Sequence, residues 1–409
     1  MLVTGDQQLL RQINRMVLVR KLLSEPELSR ADLAEKVGLT KSTVSVLVRE
    51  LVEEGWLSES ELVATGSLGR RPTPLHIDGT RLVLLGADLG VDEIRIVATN
   101  LPGEVLEHQI VQYEDINNVA SCLKLLAKEM IRMARMLTNQ GRNILGIGVG
   151  MHGGVDEAAG VLHFAPNLGW KNVNAGAQLN THFAQSPLAG LPLYVQNEAD
   201  VAALAEFEFS AQPSSDPLIY LSIGYGVGAG VVVRDSLLTG YRGFAGEVGH
   251  TILQADGPLC SCGRRGCAEA VIGLGNLLGK AATSMSGRRQ ALQYLVEQVH
   301  ASAPRPDNAV AVAGRQLGVL LNNLWVAFDP MRIVLGGPAM RLGDAFLAPA
   351  LATLQAYSEA AQLLAPPIHT TRYGDDAVAI GAAALVRYHL TRPLTDQHLR
   401  GAFAHTPQP

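Results

Sequence analysis

Residues 8–24 (QLLRQINRMVLVRKLLS) carry apolar side chains at helical spacing, so the pattern predicts a first amphipathic helix. A second helix is expected over SRADLAEKVG (29–38). Ser29 and Asp32 resemble a capping box with Asp in place of the usual Glu, and Gly38 ends the helix. Thr40 or Lys41 starts a third, KSTVSVLVRELVEEG, which closes at Gly55. Two short helices joined by Gly-Leu-Thr have the spacing of a helix-turn-helix. WLSESELVATGSLGRRPTPLHI follows and reads as a β-hairpin wing, then a Gly/Pro linker.

From residue 82 the period changes. RLVLLGADLG, IRIVATN, NILGIGVGM, PLYVQN, PLIYLSIGYGVGAGVVV and RIVLGGPAM are apolar, β-branched runs, and several end in glycine. Helical stretches such as 119–137 and 200–209 lie between them. Strands alternating with helices predict an α/β fold. The Asp-Leu-Gly turn at 88–90 and the Gly-rich turn at 224–230 suit the heads of two similar lobes. The Pro-rich end of RPLTDQHLRGAFAHTPQP reads as partly disordered.

Composition sharpens this picture in three ways. A chain of 409 residues, 47% hydrophobic, is long enough for about two or three domains with a sizeable core. A net charge of −5 argues against a surface generally coated with nucleic acid. No run approaches the ~18 apolar residues of a membrane span, and the N-terminus lacks a signal-peptide apolar core. The expected compartment is the cytoplasm, with no membrane insertion, where thiols stay reduced.

A DNA-reading helix needs small or polar residues in its first turn to reach base edges and phosphates. Thr40, Lys41, Ser42, Thr43 and Ser45 meet that demand, with Arg49 placed for a phosphate; Val44, Leu47, Val48 and Leu51 would pack inward. Arg70 and Arg71, between Gly69 and Pro72, form a short stiff arm suited to a narrow minor groove. A small helical domain that binds protein fits the same spacing. Residues 1–80 hold ten Lys/Arg against eleven Asp/Glu, so the usual basic footprint of a DNA binder is missing.

Three of the four cysteines fall within CSCGRRGC (260–267), with Gly263 and Gly266 allowing a tight loop. In a reduced compartment this spacing favours a metal over a set of buried or redox thiols. Cys122, in an apolar helix, reads as core.

Together the winged helix with GRRP, GVGMHGGVD (148–156), APNLGW (165–170), VQNEAD (195–200), GFAGEVGH (243–250), CSCGRRGCAE (260–269) and RIVLGGPA (332–339) resemble the ROK family of repressors, open reading frames and sugar kinases, in its repressor branch. The resemblance spans nearly the whole chain and is most specific from Gly243 to Glu269. It implies a winged helix-turn-helix over 1–80, then two actin-like lobes of the ribonuclease-H type. These are 81–196, joined by a C-terminal helix at about 375–395, and 197–374, with a sugar cleft between them. It implies that His250 completes a Cys3His set with Cys260, Cys262 and Cys267 around Zn²⁺. A closed shell of four makes such an ion structural. It also implies that Asn167, Asn197, Glu247, His250 and Glu269 line the cleft, His250 turning one ring nitrogen to metal and the other to sugar.

Four positions depart from the kinase pattern the resemblance carries. Glu198 stands where a kinase has the Asp that acts as general base, and a displacement of ~1 Å can cost ~10²-fold in rate; Glu198 can still bond a sugar hydroxyl. Asp92 and Tyr225 occupy the two phosphate turns, and His152 replaces a Pro at the cleft edge. The expectation is therefore a non-catalytic, sugar-responsive repressor of carbohydrate-utilisation genes. It would act as a homodimer or homotetramer on operator DNA, released by a small sugar or sugar phosphate that shifts a two-state population. A sugar kinase with a DNA-binding arm, and a repressor titrated by a sugar-transport protein, are the alternatives.

Overall fold

The computed structural model describes residues 7–60, 73–113, 115–166, 168–210, 216–279, 285–301 and 305–393. Asn167, Arg70, Arg71 and the Pro-rich tail beyond 393 lie outside the described residues. No helix among the described residues is long and apolar enough to cross a membrane.

The N-terminal unit has three helices, α1 (Gln7–Ser24), α2 (Arg30–Val37) and α3 (Lys41–Glu53). The Ser29–Asp32 capping box is formed, and Gly38 closes α2 in the left-handed conformation. Thr40 is the N-cap of α3, its side chain accepting from the Thr43 N–H. Val44, Leu47, Val48 and Leu51 are buried, as their spacing requires. The two-stranded wing differs from expectation. Its strands are β1 (Leu57–Glu59) and β2 (Leu75–Ile77), antiparallel, with Leu57 opposite Ile77. The return strand thus lies beyond GRRP, so the Gly/Pro stretch sits between the paired strands instead of following them. Leu75 is fully buried and β2 packs on α1, which selects that segment as the return strand.

The first large sheet contains β3 (Leu82–Leu89), β4 (Glu93–Thr99), β5 (Val105–Gln112), β6 (Asn143–Met151) and, further along the chain, β10 (Leu193–Asn197). Between them come α4 (Val119–Asn139), a small sheet of β7 (Gly154–Asp156), β8 (Val161–Ala165) and β9 (Trp170–Asn174), and α5 (Ala175–Phe183). The order is β10-β6-β3-β4-β5, with β3, β6 and β10 parallel.

After α6 (Glu198–Glu208) a second sheet repeats this plan. It contains β11 (Leu218–Ile223), β12 (Val227–Val233) and β13 (Ser236–Leu237), then α7 (Ala268–Ile272), α8 (Leu274–Leu278), α9 (Met285–Ala301), α10 (Ala309–Phe328), β14 (Arg332–Gly336), α11 (Asp344–Ala361) and β15 (Ile368–Thr370). Its order, β13-β12-β11-β14-β15, is the same arrangement of an antiparallel triplet flanked by two strands parallel to the first. Two copies of this topology are the two-lobed, actin-like fold.

The last helix, α12 (Ala377–Thr391), packs on β3 and β6 of the first sheet, while α6 packs on β11 and β12 of the second. The two helices then pack on each other and form the seam between lobes. Small residues permit this: a Cβ on Gly148 would stand 1.9 Å from the Ala382 carbonyl oxygen. Only a glycine lets the helix backbone lie directly on the strand. The winged unit joins the same body, because α1 packs against α12.

Candidate functional site

In sheets with parallel strands, ligands bind outside the carboxyl ends of those strands. Here β3, β6 and β10 end level, with Leu89 opposite Met151 and Met151 opposite Asn197. Asp88, His152 and Glu198 therefore converge at one edge of a cleft, and the turns after β11 and β14 of the second sheet form the other side. The cavity is about 200 Å³. Drug-sized pockets run from about 300 Å³ upward, so this one suits a smaller ligand.

The cleft brings together Asn197, Glu198, Glu247, His250 and Glu269, along with Asp88, His152, Tyr225 and Phe164. Asn197 is tightly committed. Its Oδ1 caps α6 by accepting from the Ala199 N–H at 2.8 Å, and its Nδ2 donates to Gly153 O and to Glu198 Oε2, both at 2.8 Å. Asn197 thus orients Glu198 toward the cleft. Glu269 Oε1 accepts from Ser261 Oγ at 3.0 Å, and its Oε2 accepts from the Val227 N–H at 3.3 Å. That carboxylate ties the cysteine loop to the start of β12. Glu247 and His250 arrive on a segment pressed against β12, where a Cβ on Gly246 would meet Ala229 O at 1.9 Å. Burial, then the nearby Glu198 and Glu269 carboxylates, pushes the Glu247 carboxyl up to about 7.

Three of these groups carry more charge interplay. Burial pushes Asp88 up to about 6, with His152 restraining the rise. Burial opposes the charge on His152, but Glu198, Asp88 and Asp92 outweigh it and raise the imidazole to about 9. Tyr225 lies beside Asp92, and burial pushes its phenol up to about 12.

Behind this wall, the ligand atoms of His250, Cys260, Cys262 and Cys267 all lie within 4.8 Å of one another. Cys260 Sγ is 3.6 Å from His250 Nδ1, and Cys262 Sγ is 3.7 Å from Cys267 Sγ. Metal–ligand bonds of about 2.0–2.3 Å at tetrahedral angles put ligand atoms about 3.5–3.8 Å apart, so the set fits one four-coordinate ion. His250 Nε2 faces the other way, 3.8 Å from Glu247 Oε2. Gly263 and Gly266 take left-handed conformations in the loop, with φ of 87° and 72°. Cys122 is buried in α4 among apolar residues, as core.

The helix-turn-helix face is built from exposed Lys41, Ser42 and Arg49. Thr43 and Ser45 are partly covered: Thr43 Oγ1 is 2.8 Å from Thr40 Oγ1, and Ser45 Oγ donates to Lys41 O. Val46, 40% exposed on the same face, was not singled out by residue type, although an apolar contact with a thymine methyl is ordinary readout. The charge balance also resolves. Glu50 and Glu54 pair with Arg11 and Arg15 of α1, Glu25 with Lys21 and Lys36, and Glu59 with Arg30. Lys41 and Arg49 make no ion pair among the described residues, so both cations stay available on α3, with Glu53 the exposed acid one turn on from Arg49.

Four cationic or aromatic side chains escaped the sequence reading. Arg288 lies over the Tyr225 ring at 5.1 Å, and Arg289 donates to Asp92 O at 3.3 Å and Gln112 Oε1 at 2.8 Å. These arginines from α9 answer the Asp92 charge, so Asp92 is not a bare repulsive group. Arg341 and Phe164 also line the cleft. No local motif marks Arg288 and Arg289, since only the tertiary fold carries α9 there, while Phe164 and Arg341 directly flank the APNLGW and RIVLGGPAM runs without belonging to them. Asp200 closes the VQNEAD run but was given no role there; it is 2% exposed in the first turn of α6, and burial holds its carboxyl well above the usual range.

A sequence profile of the ROK family matches residues 84–389, and a profile described as winged helix-turn-helix DNA-binding matches residues 11–58. The chain is 31% identical over 401 residues to a xylose repressor of Caldicellulosiruptor bescii, a match covering 93% of this chain and 97% of the relative. It is 26% identical over 317 residues to a glucokinase of Halalkalibacterium halodurans, covering 74% of this chain and 94% of that one. Among solved structures, a ROK family transcriptional regulator, homologous to the E. coli MLC protein, aligns with a TM-score of 0.70 at 24% identity. That alignment covers 96% of this chain and 100% of the other.

Proposed function

From the premise that this chain belongs to the ROK family, we propose that it is a cytoplasmic, sugar-responsive DNA-binding repressor of carbohydrate-utilisation genes that has lost kinase activity. The units are 1–80 for DNA, 81–196 with the C-terminal helix as one lobe, and 197–374 as the other. It works as a homodimer or homotetramer. The observation that carries the reading is a carboxylate-lined cavity linked to the DNA-reading unit by side-chain contacts that run along the turns of α12 and α1. Asn197, Glu198, Glu247, His250 and Glu269 bind the sugar, with Asn167 assigned to the same cleft. Thr40, Lys41, Ser42, Thr43, Ser45 and Arg49 read DNA, with Arg70 and Arg71 as the arm. His250, Cys260, Cys262 and Cys267 would hold Zn²⁺, which would brace the cleft wall.

The connecting side chains run from the cleft floor to α1. Next to Asn197, Gln196 Nε2 donates to Glu157 Oε2 at 3.2 Å, and Glu157 pairs with His389 near the end of α12. Three residues on, Arg392 Nη2 lies 2.7 Å from Asp235 Oδ1, and the other oxygen of Asp235 takes Arg20 of α1. Arg11 and Arg15 of the same helix hold α3. A cavity of about 480 Å³, lined from α1, α12 and the hairpin carrying Asp235, leaves this junction room to rearrange. Sugar that closes the lobes displaces the hairpin and, through Asp235 and Arg20, the reading helix; the ligand does this by binding one arrangement better than the other.

Isothermal calorimetry over a panel of free and phosphorylated sugars tests the effector. Binding of at least one sugar is expected, and none binding to folded, zinc-loaded protein sinks the reading. A coupled ATP assay with those sugars is expected to show no turnover above background. Asp235→Ala is expected to leave sugar affinity and operator affinity near wild type and to cut the sugar-induced loss of operator affinity by ~5-fold or more, the low end of typical coupling. Fluorescence anisotropy on DNA flanking the protein's own coding sequence, with and without sugar, measures it. Unchanged induction would show that the signal travels elsewhere.

A further inference from the structure

His152 stands one residue beyond β6, at the point where the two lobes meet. Its Nε2 is 3.7 Å from Asp88 Oδ1 on the first sheet, and its Nδ1 is 3.5 Å from Glu198 Oε1 at the start of α6, which packs on the second. Both carboxylates are nearly closed off from solvent, with side chains 11% and 12% exposed. Asp88 Oδ1 has no hydrogen-bond donor among the described residues. Two such carboxylates in one pocket need a proton, a metal ion or a fixed cation between them. The His152 contacts are longer than hydrogen bonds, so they act through charge and leave the ring N–H groups able to turn toward a hydroxyl. Asp92 adds a third negative group on the same side.

We propose that His152 is the cleft's built-in cation: held between Asp88 and Glu198, it takes the place of a divalent ion and commits this end of the site to binding sugar without metal or nucleotide. Resting on the sugar-sensor reading, this names the device that closes the reaction centre. The imidazole nitrogens supply the positive charge from within the chain, between the Asp88 and Glu198 carboxylates. Phosphoryl transfer uses a metal ion that bridges to phosphate, and here His152 occupies the space between the carboxylates that could hold one. A covalently fixed cation cannot move with a phosphoryl group and offers no exchangeable coordination position.

The test uses the full, zinc-loaded chain and Mn²⁺, which favours carboxylate and water ligands, followed by electron paramagnetic resonance. Wild type is expected to show no saturable Mn²⁺ site. His152→Ala and His152→Gln are each expected to take up one Mn²⁺, and adding Asp88→Asn is expected to abolish that uptake. His152→Lys, which restores a cation, is expected to behave as wild type, a distinction that a purely structural role would not produce. In calorimetry, His152→Gln is expected to lose ~10-fold or more in sugar affinity, because two buried carboxylates lose the cation that stands between them. A saturable Mn²⁺ site in wild type that Asp88→Asn removes would overturn the proposal. So would neutral variants that match wild type in both Mn²⁺ uptake and sugar binding. Failure of wild type to bind any sugar would strike the sensor reading instead, and the Mn²⁺ comparison would still decide the role of His152.

Discussion

Cys262→Ser is expected to abolish stoichiometric zinc, which falls from about one ion per chain to near zero, and with it all measurable sugar binding. Cys262 and Cys267 form one edge of the four-ligand set, 3.7 Å apart, and His250 with Cys260 the opposite edge. Structural zinc sites contribute roughly 10–16 kcal/mol of apparent binding free energy to small metal-dependent folds, and a missing thiolate removes much of that. The loop's backbone bonds sit mostly at its base: Cys260 N–H to Arg264 O, Gly266 N–H to Pro258 O, and Leu253 N–H to Gly266 O from the preceding segment, so the bonds at the base do not by themselves hold Cys262 against His250. The consequence reaches the cleft through two residues. His250 loses its anchor on the metal side, and Glu269 loses the Ser261 hydroxyl that fixes one of its oxygens. The winged unit shares no residue with this loop and is expected to keep its operator affinity. Elemental analysis, sugar calorimetry and operator anisotropy on one preparation check all three. Full sugar binding by a zinc-free variant would show that the metal is incidental.

Much of the fold was legible because its signals are local. Apolar runs, several of them ending in glycine, marked β3, β6, β10, β11, β12 and β14, since largely buried strands read as unbroken hydrophobic segments. β5 was not legible: Val105 and Ile110 are exposed on an edge strand whose polar and apolar residues follow no clean alternation. The wing was half legible. Its first strand follows directly from Gly55, but pairing with Leu75–Ile77 spans a long stretch, and nothing local reveals which apolar triplet returns. The repetition of the two sheets showed only in the glycine turns at 88–90 and 224–230 that head them; the strand order itself left no repeat in the residues, because topology can recur when the residues do not.

The site was legible in proportion to how much of it lies in contiguous motifs. Gly243–Glu269 supplies Glu247, His250 and the cysteines in one run, and these do converge. Arg288 and Arg289 sit on a helix with no motif and reach the cleft only through the fold. The charge count of the N-terminal unit misled for a physical reason: a sum over residues cannot show that Glu50 and Glu54 are consumed by α1, leaving Lys41 and Arg49 available on α3.

Arg387→Leu is expected to cost about 3–5 kcal/mol of stability, the range for breaking a buried ion pair by removing one partner. Arg387 looks out of place in the sequence, a lone charge in the apolar run AAALVRYHL. Its side chain is 4% exposed, and that of Glu208 is 6%. Arg387 Nε donates to Glu208 Oε2 at 3.0 Å, Nη1 donates to Leu101 O at 2.8 Å, and the guanidinium lies over Phe209 at 4.5 Å. Burial pulls its proton affinity down, and Glu208 opposes that pull. A leucine fills much of the volume but strands Glu208 and the Leu101 carbonyl. Arg392 stays 2.6 Å from Glu208 Oε1, off the hydrogen-bonding direction, and only partly compensates. The double variant Arg387→Leu, Glu208→Leu is expected to regain most of the loss, since Arg392 keeps Asp235 as its partner. Urea midpoints for the single and double variants measure the cycle; a single-variant cost below about 1 kcal/mol would mean the pair only breaks even against its desolvation. Because the cycle leaves Arg20–Asp235–Arg392 intact, the destabilised protein is still expected to release DNA on sugar binding. That response separates the residues that hold the lobes together from those that carry the signal.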